Sequence, residues 1–372
     1  MRLPERIVRI GGDLAGVVPR AHSAVASDAG WNPLSLQGVR QFGEVFLDEL
    51  ALTGMTLTAP PPEPQRSLDS CAAAAAELSA LGVSGAHADP APVRVNACRR
   101  RRFGRHTYEQ LRFDHDPALP ASLSAFGGQA QAVVHLCRAG EARRPWLVWV
   151  HGAGQGQPID LLVSRARRLH EELGFNVALP VQPGCGVRRG AWPEYPNMDP
   201  LANIAGMMRA VSEVRALVRW LRPRAEAVVV AGVSMGSPVA GLVSHLERVD
   251  AVAVYTPISG LNAMIAAHLG RWGPSVADVA AVLRSTAAEQ MAAAVDYQAV
   301  APTAAPEHRL IVGAWHDQMA RREPALALHD RWGGQLYWHR GSHVGHLFAG
   351  GVQHASEEFL GSVVARTRRG PG

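Results

Sequence analysis

The stretch Gly232-Val233-Ser234-Met235-Gly236 closes an apolar, mostly β-branched run that begins at Val228, and a small-residue helical pattern follows it to about Leu246. That order predicts a buried strand, a tight turn and a helix. A serine at such a turn is held in a strained backbone conformation. Only glycine fits two residues to either side, where strand and helix backbones approach. The turn lifts the hydroxyl off the sheet beside the free N–H groups of the helix start. Serine is a poor nucleophile at its own pKa. Chemistry at Ser234 therefore needs an imidazole within hydrogen-bond reach and a carboxylate to orient that imidazole.

In open α/β sheets such groups gather at the carboxyl ends of strands. Asp317 follows an apolar run ending at Gly313 by four residues, whereas no Asp or Glu occurs between Asp250 and Asp278. Asp317 is thus the candidate acid; its competing use is as a helix N-cap for a segment starting near Met319. His343 lies just past the run 335–339, framed by Gly341 and Gly345, which would let an imidazole swing toward the serine. His346, three residues on, is the alternative base. A metal reading of His316, His339, His343 and His346 lacks an HExxH spacing and a nearby cysteine, and no cofactor is expected.

After the apolar run 146–150 comes His151-Gly152-Ala153-Gly154, where glycines leave backbone amides bare. The amides of Ala153 and Met235 are the expected donors to a developing oxyanion, and His151 is expected to be a structural hydrogen-bonder. A phosphate-cradling loop would need a Gly-Lys-Ser/Thr ending. The chain contains no Lys at all, which also removes Schiff-base and Ser–Lys chemistry.

Repeated strand–helix alternation from about residue 106 must position these groups, and it indicates a mostly parallel sheet covered on both faces. Strands are expected at 107–114, 131–138, 146–150, 175–181, 228–233, 251–255, 309–313 and 335–339. Helices are expected at 159–173 and 201–221, behind the serine turn, and between the last two strands. A helical insertion runs from Gly260 to about residue 300. Its small and apolar residues, Met264 and Trp272 among them, would either form an apolar acyl pocket over Ser234 or merely cover the sheet edge. Residues 1–105 read as a helical extension without a chemical motif, with helices at 35–52 and 67–81 and a proline-rich linker at 59–64.

The 372 residues, 47% hydrophobic and 19% charged, have ordinary globular composition. The net charge of +5 and the cluster Arg99-Arg100-Arg101-Arg102 read as a solvated basic loop, and no nucleic-acid partner is expected. Two 20-residue stretches without charge, 227–246 and 251–270, are broken by Gly, Ser and Pro, so they read as buried interior and not as membrane spans. Cys71, Cys98, Cys137 and Cys185 are widely spaced and fit reduced thiols. The N-terminus lacks the apolar core of a signal peptide, and a cytoplasmic location is expected.

The order of HGxG, GxSxG, post-strand Asp and post-strand His resembles the α/β-hydrolase superfamily across residues 106–366. The loop 183–189 and the ending Gly341-Ser342-His343-Val344-Gly345 are similar to those of bacterial members. The resemblance implies an eight-stranded, mostly parallel sheet, its second strand antiparallel, with a cap after the sixth and a hydrolase domain over 106–372. It also implies a serine hydrolase acting on a small-molecule ester or thioester through Ser234, His343 and Asp317. A homo-oligomer, a peptidase on the same fold and a non-catalytic binding protein are the other readings. Ser237 departs from the glycine common in relatives and would narrow the turn.

Overall fold

The computed structural model describes residues 3–58, 66–139, 143–190, 195–272 and 276–369. The proline-rich linker at 59–64 and the Trp272 side chain lie outside them. Three helices lead the chain: α1 (Leu3–Ala26), α2 (Leu36–Thr58) and α3 (Leu68–Ala86). Strands β1 (Val95–Phe103), β2 (His106–His115), β3 (Ala130–Cys137) and β4 (Arg144–Val150) follow, then the short α4 (Asp160–Val163) and α5 (Ala166–Glu171). Next come β5 (Asn176–Val181), α6 (Pro200–Leu221), β6 (Ala225–Val233), α7 (Gly236–Leu246) and β7 (Ala251–Tyr255). The insertion contains α8 (Leu261–His268), α9 (Ala277–Leu283) and α10 (Thr286–Met291); β8 (Arg309–Ala314), α11 (Glu323–Trp332), β9 (Gln335–His339) and α12 (Gly350–Arg369) complete the chain.

The sheet has nine strands in the order β1-β2-β3-β5-β4-β6-β7-β8-β9, not the eight expected. β3 runs antiparallel to both β2 and β5, as expected of the second strand, and β5 through β9 pair in parallel. The added strand is β1, which pairs antiparallel with β2. It carries the arginine cluster, so that cluster is an edge strand and not a loop. The sheet thus begins inside the stretch read as a helical extension. A run of arginines hides a strand because its side chains all face water, and no period of two in hydrophobicity is left to read.

Alternation along the central strands sorts the core into two layers. Val148, Val230, Val252 and Ile311 face α3, α6 and α7, while Leu147, Val229, Ala253 and Leu310 face α5 and α12. Helix α3 belongs to the first layer through Cys71, Ala74 and Leu78. Helices α1 and α2 share a small cluster of their own around Ala21, Val25 and Val45. Helix α1 has no counterpart in the sequence reading; Pro19 lies inside it. The expected helix at 159–173 is two short ones, broken where Arg165 takes a left-handed φ of 54°.

The first uncharged stretch, most of β6 and α7, is interior as expected; the second is buried through β7, but α8 is not, with Ala263 and Ala267 exposed. Among the described residues no helix is long and apolar enough to cross a membrane, and all four cysteines are free.

Charge on an edge strand blocks pairing with another copy. Replacing Arg99 and Arg101 together by Val should increase self-association, measured by light scattering against the parent protein. An unchanged mass distribution at high concentration would show that the arginines do not guard this edge.

Candidate active site

The carboxyl ends of β4, β6, β8 and β9 converge on Ser234. Its φ is 52°, a left-handed value that serine rarely adopts. The two flanking glycines are required by close approach: a Cβ on Gly232 would collide with the Gly236 carbonyl, and one on Gly236 with the Val150 carbonyl. Ser237 does more than fit the turn. Its buried hydroxyl lies 3.1 Å from the Gly232 carbonyl and 3.2 Å from that of Tyr255, tying the start of α7 to two strand ends.

Ser234 Oγ lies 2.8 Å from His343 Nε2, and His343 Nδ1 lies 2.7 Å from Asp317 Oδ2. With the Nδ1 proton donated to the carboxylate, Nε2 is left to accept from the serine hydroxyl. The other Asp317 oxygen accepts from the amides of Met319 and Ala320, both at 2.7 Å. Asp317 therefore caps its own turn with one oxygen and meets the imidazole with the other. His346 points elsewhere: its Nδ1 bonds the His343 carbonyl, and its ring stacks on Tyr255 at 6.2 Å between centroids.

His151 is held at both nitrogens. Its Nε2 accepts from the Gln182 amide at 3.0 Å, so Nδ1 carries the proton donated to the Gly152 carbonyl at 2.7 Å. The Gly152 amide is engaged by Gln155 Oε1 at 2.6 Å. Met235 stands at the head of α7, where amides have no carbonyl four residues back. Asp160, which the sequence reading missed, accepts from the amides of Gly156 and Gln157 and fixes the far end of the Ala153 loop. Loop 183–189 packs on that end through Gly186, where a Cβ would strike Gly156. Its Arg188 is buried in a double hydrogen bond with Glu213 at 2.6 and 2.9 Å.

Among the described residues no three His, Cys, Asp or Glu side chains are grouped to hold a metal ion. His339 bonds Glu44 at 2.6 Å, and His316 faces Asp28 at 3.6 Å. Met264 borders a cavity of about 770 Å³. Its walls include Asp317, Arg271, Arg322 and Asp28 but not Ser234, so it is a polar cavity beside the Asp317 loop and not the apolar pocket expected over Ser234.

The largest omission of the sequence reading is α2. Its buried stripe is Gln41, Glu44, Val45, Asp48, Glu49, Leu52 and Thr53, whereas Leu36, Val39 and Leu50 on the same helix are exposed. Gln41 donates to the Arg340 carbonyl at 3.0 Å, and Glu44 accepts from the Ser342 amide at 3.3 Å. Gly341 and Gly345 make room for this helix, since a Cβ at either would collide with the Glu44 carboxylate. That close approach is one reason for glycine on either side of His343. The available signal was three acids at helical spacing within a stripe that also carries Val45 and Leu52.

The fold is that of the α/β-hydrolases. The acetyl xylan esterase of Paenibacillus sp. R4 superposes with a TM-score of 0.50 at 14% identity, over 81% of this chain and 96% of that one. Acetyl xylan esterase 1 of a Thermoanaerobacterium species gives a TM-score of 0.50 at 14% identity, over 82% and 96%. Two uncharacterized proteins from strains of Mycobacterium tuberculosis are each 28% identical over 335 residues, covering 84% of this chain and 80% of theirs. No family model matches the sequence.

Burial alone would lower the pKa of His343. The charge and hydrogen bond of Asp317, with the charge of Asp48, outweigh burial and raise it above the ordinary 6.5. His346 has only burial and a like-charged neighbour dominating its surroundings, and falls to about 3. An NMR titration of imidazole resonances should find His343 protonating above 6.5 and His346 still neutral at pH 5. Asp317→Asn should move the His343 midpoint down. A His343 midpoint below that of an exposed histidine would contradict this balance of charges.

Proposed function

We propose that the protein is a serine hydrolase of carboxylic esters or thioesters working through an acyl-enzyme. The observation that carries this reading is the hydrogen-bonded line from Ser234 through His343 to Asp317, drawn from three separate loops at one sheet edge. Ser234 Oγ attacks the substrate carbonyl while its proton passes to His343 Nε2. Asp317 holds the imidazole in the required tautomer and stabilises the imidazolium. The amides of Ala153 and Met235 receive the oxyanion, a contribution of about 3 kcal/mol per donor in comparable sites. Collapse expels the alcohol or thiol, which takes the proton from His343. Water then enters by the same route in reverse, releasing the acid and restoring Ser234.

Ester substrates are favoured over peptides because the two superposed enzymes are named as acetyl xylan esterases. Free cysteines support a reducing compartment such as the cytoplasm.

Ser234 is only partly buried, so Ser234→Ala opens no core cavity and should leave Tm nearly unchanged. The same change should cut hydrolysis of p-nitrophenyl esters by several orders of magnitude, His343→Ala should cost as much, and the double variant no more than either. Activity within about tenfold of the parent in Ser234→Ala would remove the nucleophile from this position. A parent protein inert to esters and to a fluorophosphonate probe would favour a binding protein instead.

A further inference from the structure

Asp48 lies on α2, in the part of the chain that precedes the sheet, yet its carboxylate sits between the two loops that carry Asp317 and His343. It is wholly buried. Oδ1 accepts from the Val344 amide at 2.8 Å and from Ser342 Oγ at 2.8 Å, whose single proton it shares with the Glu44 carbonyl, also at 2.8 Å. Oδ2 accepts from the His343 amide at 2.9 Å and from the Gln318 amide at 3.3 Å. All four donors therefore belong to the acid loop or the imidazole loop, and one carboxylate bridges the residue after Asp317 to the backbone of His343 itself.

Around it, Glu44 is paired with Arg40 and His339, and Glu49 with Arg20 and Arg271. Neither of those acids has a free cation to offer Asp48. The charged groups that act on Asp48 are His343, which favours its anion, and Asp317, which disfavours it; burial pushes its carboxyl up to about 6. Burying a carboxylate without a salt-bridge partner costs stability, and the hydrogen bonds from its four donors offset part of that cost.

We infer that Asp48 is a positioning residue of the Ser234 site: it clamps the Asp317 and His343 loops at one spacing and adds a second negative charge beside the imidazole. The inference rests on the serine-hydrolase reading. It makes α2 a working part of the site.

The test is the rate at which a fluorophosphonate probe labels Ser234 in the full-length protein, followed against pH. In the parent, labelling should rise with pH as His343 loses its proton. Asp48→Asn removes the charge and turns an N–H₂ either toward the His343 and Gln318 amides or toward the Val344 amide and the Ser342 hydroxyl. The plateau rate should fall about 10- to 100-fold, as expected of a misplaced catalytic group. The midpoint should also move to lower pH, because the imidazolium has lost an anion. A role confined to stability would lower Tm and leave the midpoint where it was.

Ser342→Ala keeps the charge and removes one donor, so its plateau should fall several-fold with the midpoint unmoved. If Asp48→Asn does not fold, Ser342→Ala decides alone: labelling at the parent rate overturns the clamp, and a several-fold loss upholds it. Labelling of Asp48→Asn within about twofold of the parent at an unchanged midpoint overturns the inference while the hydrolase reading stands. A parent protein that the probe does not label overturns both.

Discussion

The meeting of three backbones at the end of β6 is the constraint on which the site depends. Gly232, Gly236 and the Val150 carbonyl approach so closely that no side chain can stand between them. Ser234 is forced to a positive φ because the chain must turn from strand to helix within that space. Such strain persists only where the surroundings over-determine it. Here they do: the Ser234 amide bonds the Tyr255 carbonyl at 2.9 Å, and Ser237 returns the helix to the same strand ends. The position of one hydroxyl is thereby fixed by the packing of β4, β6 and β7.

The loops that answer Ser234 have no such rigid frame of their own. The acid loop is tied to the imidazole loop by two backbone bonds, Trp315 to His339 and His316 to Gly341. Most of what remains comes from α2. A helix usually turns its apolar side inward. Helix α2 buries a mixed stripe rich in acids because the surface it meets is a set of backbone amides, the His339 ring and the guanidinium groups of Arg20 and Arg271. Those amides need acceptors, and an apolar helix face would leave them unsatisfied.

This contrast explains what could be read from the sequence. The serine turn, the bare-amide loop and the post-strand positions of Asp317 and His343 are local: each announces itself by glycine spacing next to an apolar run. The parallel strands are legible for the same reason, since buried strands read as short apolar runs. Strand β1 is not legible, because nothing apolar marks its inner edge. Nor is the role of Glu44 and Asp48, whose partners stand almost the whole chain away. The glycines around His343 illustrate the limit well: their presence was visible, while one reason for them lay in a helix that only the tertiary structure brings there.

Asp48 and the His343 amide that it accepts from are separated by 295 residues. The carboxylate is therefore synthesised well before the loop that it braces. A nascent chain can form the serine turn, and much of the sheet, long before an imidazole exists to activate it. Contacts of such long range form late because they bear the largest loss of chain freedom. The pairing of His343 with Ser234 thus comes after the serine turn itself, once two distant segments of the chain have met.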